Sequence, residues 1–186
     1  MILRWARTLD DRAEALAVLS PAERARYDGA PSDTFLVGRL LLRRLAAELT
    51  GVGPADVDLV AVCPDCGGPH GKPQLIGSSL HLSLSHSAVA VVAAASWDGP
   101  VGVDVEALDP SAAALAAIGT VAGEESLERW TRVEAVLKAD GRGLRVDPAS
   151  VSFDGGTASI AGSGARYRVS EVQLAPDVRV SVAVAL

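Results

Sequence analysis

Apolar residues recur at helical spacing between Ser20 and Leu49, at Phe35, Leu36, Leu40, Leu42, Leu45 and Leu49. Ser20-Pro21 is an N-cap and first-turn pair, and turn residues gather at Asp28-Gly29-Ala30-Pro31. The pattern therefore predicts two helices, the second stopped by Gly51. Val57 to Val62, Leu80 to Ser85 and Ala88 to Ser96 alternate, or are apolar enough, to form strands. With Trp97-Asp98-Gly99-Pro100 as a turn, Ser87 to Glu106 reads as a hairpin. Two further helices are expected at Ala112 to Ile118 and Glu124 to Ala139, the latter ended by Gly141 and Gly143. Strands at Val151 to Phe153, Ala158 to Ile160, Tyr167 to Leu174 and Val178 to Leu186 complete the chain. Helices thus precede sheet twice, and Ala88 to Ala95 echoes Val180 to Leu186. The expectation is an α+β protein of two similar helix-plus-antiparallel-sheet lobes, 1–99 and 100–186, with a boundary near Gly99.

Composition narrows the class. At 186 residues and 49% hydrophobic the chain can bury a substantial core, but at 4% aromatic it must fill that core with Val, Leu and Ala. The first twenty residues interleave Arg4, Arg7, Asp10, Asp11, Arg12 and Glu14 with apolar positions, so no apolar leader is expected. The longest apolar run, Ala88 to Ala95, is far short of the roughly 20 residues a membrane helix requires. A cytoplasmic, monomeric protein with no membrane partner is the expectation. A net charge of −6 and a pI near 5.0 argue against a nucleic-acid partner, which needs a broad positive field. An anionic ligand would have to be met locally. Of the 17 basic residues only Lys72 and Lys138 are lysines, compact point charges in an otherwise Arg-using chain.

Four short constellations carry chemistry. In Val101-Gly102-Val103-Asp104-Val105-Glu106, strand periodicity puts Asp104 and Glu106 on one face, a pair of hard oxygen donors suited to Mg²⁺ or to simple solvation. In Trp130 to Lys138, the residues Trp130, Glu134 and Lys138 are four apart, so a carboxylate and an ammonium share a helical stripe with an indole. That stripe would equally describe a surface Glu-to-Lys pair. Ser83-Leu84-Ser85-His86-Ser87 places a histidine among hydroxyls at a strand end, where it would donate to a phosphate or bond the local backbone. A serine-hydrolase reading of that segment lacks the Gly-x-Ser-x-Gly elbow. Gly71-Lys72-Pro73 holds a lysine in a rigid loop.

Taken in order, Gly-Lys-Pro, Ser-His-Ser, Gly-x-Asp-x-Glu and Trp-x-x-x-Glu-x-x-x-Lys followed by Gly-x-Gly-Leu resemble the Sfp-type 4′-phosphopantetheinyl transferases, over about 71–144. The stretch 20–44 is similar to the coenzyme-binding start of that family. The resemblance implies lobes related by pseudo-twofold symmetry with the active site between them. It also implies a transferase that moves the phosphopantetheine arm of coenzyme A to a serine of an apo acyl or peptidyl carrier protein, releasing 3′,5′-adenosine bisphosphate. Polyketide or nonribosomal peptide carriers of secondary metabolism would be the partners, with fatty-acid carriers as a further class. By resemblance, Asp104, Glu106 and Glu134 would hold Mg²⁺ (or Mn²⁺), and His86 and Lys138 would contact phosphate oxygens. Arg26, Lys72 and Ser85 would help bind coenzyme A, with Arg26 preferred over Arg39 and Arg43 for the 3′-phosphate. The serine proton would go to Glu134 or to a metal-bound water. Thr34, Ser83 and Val133 depart from residues common in the family.

Cys63-x-x-Cys66 followed by His70 has the spacing of zinc ligands, with His81 as the spare fourth, or else shapes the loop before Gly71. Two other functions therefore stand beside the transferase: a catalytically weak coenzyme A-binding regulator and a zinc-ribbon interaction module.

Overall fold

The computed structural model describes residues 1–122, 124 and 126–186, with the side chain of Ala122 not described. Two five-stranded antiparallel sheets and their helices make an α+β architecture. The first sheet has the order β1-β5-β4-β3-β2, from β1 (Ile2–Ala6), β2 (Leu59–Val60), β3 (Gln74–Leu75), β4 (His81–His86) and β5 (Val91–Ser96). The second has the order β6-β10-β9-β8-β7, from β6 (Val101–Ala107), β7 (Val151–Asp154), β8 (Thr157–Ile160), β9 (Arg166–Glu171) and β10 (Val178–Ala185). The helices are α1 (Arg12–Ala17), α2 (Pro21–Gly29), α3 (Asp33–Thr50), α4 (Ala112–Ala122) and α5 (Leu127–Asp140). Among the described residues no helix is long and apolar enough to cross a membrane.

Local chemistry accounts for the helix ends. Ser20 and Glu23 form a reciprocal capping box with Pro21 in the first turn of α2. Gly51 closes α3 at φ +78° and Gly141 closes α5 at φ +90°, left-handed conformations in which a side chain would be strained. Ser126 caps α5, so that helix starts at Leu127 rather than Glu124, which lies in a bend; Glu125 lies outside the described residues.

Three apolar layers hold the molecule together. On α3, Leu42, Leu45 and Ala46 pack on Leu82, Ala93 and Ala95 of the first sheet. Val92 and Ala94 on that sheet's opposite face meet Val101, Val103 and Val105 of β6 and Val180 and Val182 of β10. The far side of the second sheet is covered by Val133, Val136 and Leu137 of α5. The small-residue composition is what permits such close layers. At Gly102 a Cβ would sit 1.9 Å from the Ala135 carbonyl oxygen, so α5 lies directly on β6 there.

Several expectations are corrected. Ser87 to Glu106 is not a hairpin: β5 pairs with β1 and β4, whereas β6 pairs only with β10 among the described residues. Both strands are apolar on the faces they share, so stacking between sheets buries more surface than edge pairing. The free edge of β6 is met by hydroxyls instead, with the Val103 and Val105 amides donating to Ser83 Oγ (3.1 Å) and Ser85 Oγ (3.3 Å). The strand expected over Val57 to Val62 shrinks to Leu59–Val60, and β1 and α1 arise in a segment whose charge interleaving gave no periodic signal.

Candidate functional site

Strand alternation on β6 sends Val101, Val103 and Val105 into the inter-sheet core and Gly102, Asp104 and Glu106 toward α5. Helical spacing on α5 brings Trp130, Glu134 and Lys138 to the same place. With Leu84, Ser85 and His86 of β4 these side chains line one open cavity of about 360 Å³. Strand β4 reaches it because β6 is an edge strand, leaving room for Ser85 to come round its margin.

Asp104 is the centre of the arrangement and is 4% exposed. Its Oδ1 accepts from Lys138 Nζ at 2.6 Å and from Ser85 Oγ at 2.8 Å. Lys138 Nζ also donates to Ser85 Oγ at 2.9 Å and lies 3.8 Å from Glu134 Oε2. Asp104 Oδ2, by contrast, is buried without a hydrogen-bond partner among the described residues. A buried carboxylate oxygen left without a donor is unfavourable unless something else meets its charge. The neighbouring carboxylates register the same crowding. Burial, then the Asp104 charge, pushes the Glu106 carboxyl up, with Lys138 and a hydrogen bond from Trp130 opposing. Burial raises Glu134 as well, against the pull of Lys138. One ammonium thus serves three carboxylates. A hard divalent cation fits this donor set, since it would meet Asp104 Oδ2 and relieve the raised carboxyls together.

The cavity continues in both directions. Leu84 and His86 are shared with a second cavity of about 540 Å³, lined also by Arg26, Thr34, Phe35 and Arg39. Leu84 and Lys138 are shared with a third of about 310 Å³, bordered by Lys72, Arg142 and Arg145. In a chain of net charge −6, Arg26, Arg39, Lys72, Lys138, Arg142 and Arg145 thereby border adjoining cavities, the local arrangement an anionic ligand requires.

The structure separates the residues of that groove by the work they do. Arg43, buried, is paired with Glu23 (2.7 and 3.3 Å) and belongs to the packing of α2 on α3. Arg26 donates to the Pro69 carbonyl at 2.8 Å while lining the groove. Among the described residues Arg39 Nε and Nη1 are buried without hydrogen-bond partners, as is Arg43 Nε, and Arg39 Nε forms only a 3.6 Å ion pair with Glu23 Oε1. Burial, with Arg26 and Arg43 nearby, pushes Arg39 below the ordinary arginine range despite Glu23. Residue type and spacing rank it no higher than Arg43; only the positions of the four-apart pair on α3 distinguish them. Ser85 has its hydroxyl fully occupied by Asp104, Lys138 and Val105, so it positions those groups. Lys72 Nζ donates to the Lys138 and Ala139 carbonyls (2.7 and 2.9 Å), binding its loop to the C-terminal end of α5. Burial pushes the Lys72 amine down to about 8. His86 is exposed at the junction of two cavities.

Cys63, Cys66 and His70 converge in the loop before Lys72, their ligand atoms all within 4.8 Å of one another. His81 is not part of this group; it lines a different cavity, with Gln74 and Pro100. Comparison with protein-family models and with curated proteins gives no match to this chain.

Proposed function

We propose that this chain is an Mg²⁺-dependent Sfp-type 4′-phosphopantetheinyl transferase acting on coenzyme A and the serine of an apo carrier protein. The observation that carries the proposal is the buried, partnerless Asp104 Oδ2, set in a groove that joins Glu106, Glu134 and Lys138 to a run of cations. A regulator that merely held coenzyme A would have no use for three crowded carboxylates beside its anion-binding groove. Asp104, Glu106 and Glu134 would hold Mg²⁺, which when bound neutralises pyrophosphate charge and stabilises the departing oxygen.

The chain's own residues supply the rest. Arg26 and Arg39, which line the same cavity, would receive the nucleotide phosphate. His86 and Lys138 would hold the pyrophosphate between the cavities they share. The carrier serine Oγ forms its bond to the phosphorus of the pantetheine phosphate, and the bond to 3′,5′-adenosine bisphosphate breaks. The serine proton would pass to Glu134 or to a water held at the cation site. The halves 1–99 and 100–186, each a five-stranded sheet under one long helix, are read as lobes related by a pseudo-twofold axis.

The test is intact-mass analysis of apo acyl and peptidyl carrier proteins incubated with the protein, coenzyme A and MgCl₂. One carrier must gain the mass of a phosphopantetheine arm, and Asp104→Ala and Glu134→Ala must abolish the gain. Coenzyme A binding with every carrier unmodified would replace this reading with the regulator.

A further inference from the structure

The loop between β2 and β3 is shaped for more than carrying Lys72. Cys63 N donates to Gly68 O (2.8 Å), Gly67 N to Cys63 O (2.9 Å) and His70 N to Gly68 O (2.9 Å), so the segment turns back on itself. Gly67 takes φ +70° at that reversal. At Gly71 a Cβ would sit 2.1 Å from the Val62 carbonyl oxygen, and Gly71 N donates to Ala61 O at 2.7 Å, which presses the two ends of the loop together. The closed backbone delivers three side chains to one point. Cys66 Sγ lies 3.0 Å from His70 Nε2, and the ligand atoms of Cys63, Cys66 and His70 all lie within 4.8 Å. Zn–S bonds of about 2.3 Å and Zn–N bonds of about 2.0 Å at tetrahedral angles require ligand separations of roughly 3.5–3.8 Å. Small side-chain rotations reach that spacing. The Gly68 amide donates to Cys66 Sγ at 3.4 Å, the kind of outer contact that supports a bound thiolate.

We propose that Cys63, Cys66 and His70 form a zinc site, separate from the carboxylate cavity and independent of the transferase reading. Zinc takes the two sulfurs as thiolates, releasing their protons, and the histidine through Nε2. Among the described residues no fourth His, Cys, Asp or Glu joins the cluster; Asp65 accepts from Arg145 through Oδ1 at 3.0 Å and from the Cys63 thiol through Oδ2 at 3.9 Å, beside the cluster. Water completes the tetrahedron, because Cys66 and His70 are exposed. The ion's effect reaches the groove through a short path. One residue separates His70 from Lys72, whose ammonium holds the last carbonyls of α5, so zinc fixes the loop that braces the helix bearing Glu134 and Lys138.

The test uses the full-length reduced protein, freed of metal by a chelator and titrated separately with ZnCl₂ and CoCl₂. One zinc per chain should remain after dialysis, and the cobalt form should show the thiolate-to-cobalt charge-transfer band that carboxylate ligands cannot produce. Cys66→Ser and His70→Ala change exposed side chains, so circular dichroism should be unaltered while zinc affinity falls at least 10–100-fold, as for loss of a supporting group. Absence of retained zinc and of the cobalt band in the folded wild-type protein would overturn the site. So would an unchanged zinc affinity in both variants.

Discussion

The ammonium of Lys138 is the only cation hydrogen-bonded to Asp104 among the described residues, and replacing it tests whether the cavity is built around charge. Lys138→Met retains the apolar stem and removes the 2.6 Å bond to Asp104, the 2.9 Å bond to Ser85 and the 3.8 Å pairing with Glu134. Breaking one side of a buried pair costs about 3–5 kcal/mol, and a single charge-assisted bond about 1.5–3 kcal/mol. The lysine side chain is 28% exposed and Asp104 keeps its Ser85 bond, so the lower range applies, about 1.5–3 kcal/mol in chelator at pH 7. Urea unfolding followed by circular dichroism measures it. Magnesium then separates packing from electrostatics. A ligand bound only by the folded state stabilises by about 2.7 kcal/mol at a hundredfold excess over its dissociation constant. The variant, whose carboxylates have lost their ammonium, should gain more than the wild type at equal MgCl₂. Stability within about 0.5 kcal/mol of wild type, the range of ordinary surface changes, would refute the reasoning. Equal magnesium gains in both proteins would do the same.

Without divalent cation, the raised Glu106 and Glu134 carboxyls make their stability contribution fully present below the ordinary carboxylate range and lost as pH rises through their raised values. Chelated protein should therefore lose denaturant resistance over that interval, and Glu134→Gln should flatten the loss while abolishing carrier modification. Ser85→Ala strips a donor from Asp104 and leaves the Val105 amide without its acceptor, which should lower the thermal midpoint by the equivalent of about 1–3 kcal/mol in differential scanning calorimetry. Arg39→Met should weaken coenzyme A binding in calorimetric titration but leave the affinity for 3′-dephospho-coenzyme A nearly unchanged, and an equal loss for both ligands would remove Arg39 from the phosphate site.

Periodicity read the regular elements well wherever a single local rule governed them. Helix α3 with its Gly51 stop, the Ser20-Pro21 start of α2 and most of the strands of the second sheet follow from spacing and caps. The facing of Asp104 with Glu106, and of Trp130 with Glu134 and Lys138, is likewise a consequence of strand and helix geometry. Strand β1 escaped because its residues pair with β5, some 90 positions away, and carry no pattern of their own.

What the amino-acid order determined by itself was which side chains share a face, because that depends on dihedral angles repeated along one element. Which faces meet depended on packing between distant elements, which only the tertiary structure decides. The bare Gly102 backbone lets α5 settle onto β6, and the free edge of β6 admits Ser85. Those two contacts turn separate Asp-x-Glu and Glu-x-x-x-Lys patterns into one cavity with a buried, partnerless oxygen at its centre. The same logic divides Arg39 from Arg43: four apart on one helix, they differ because Glu23 of α2 accepts two hydrogen bonds from Arg43 and forms only a 3.6 Å ion pair with Arg39, which lines the neighbouring cavity.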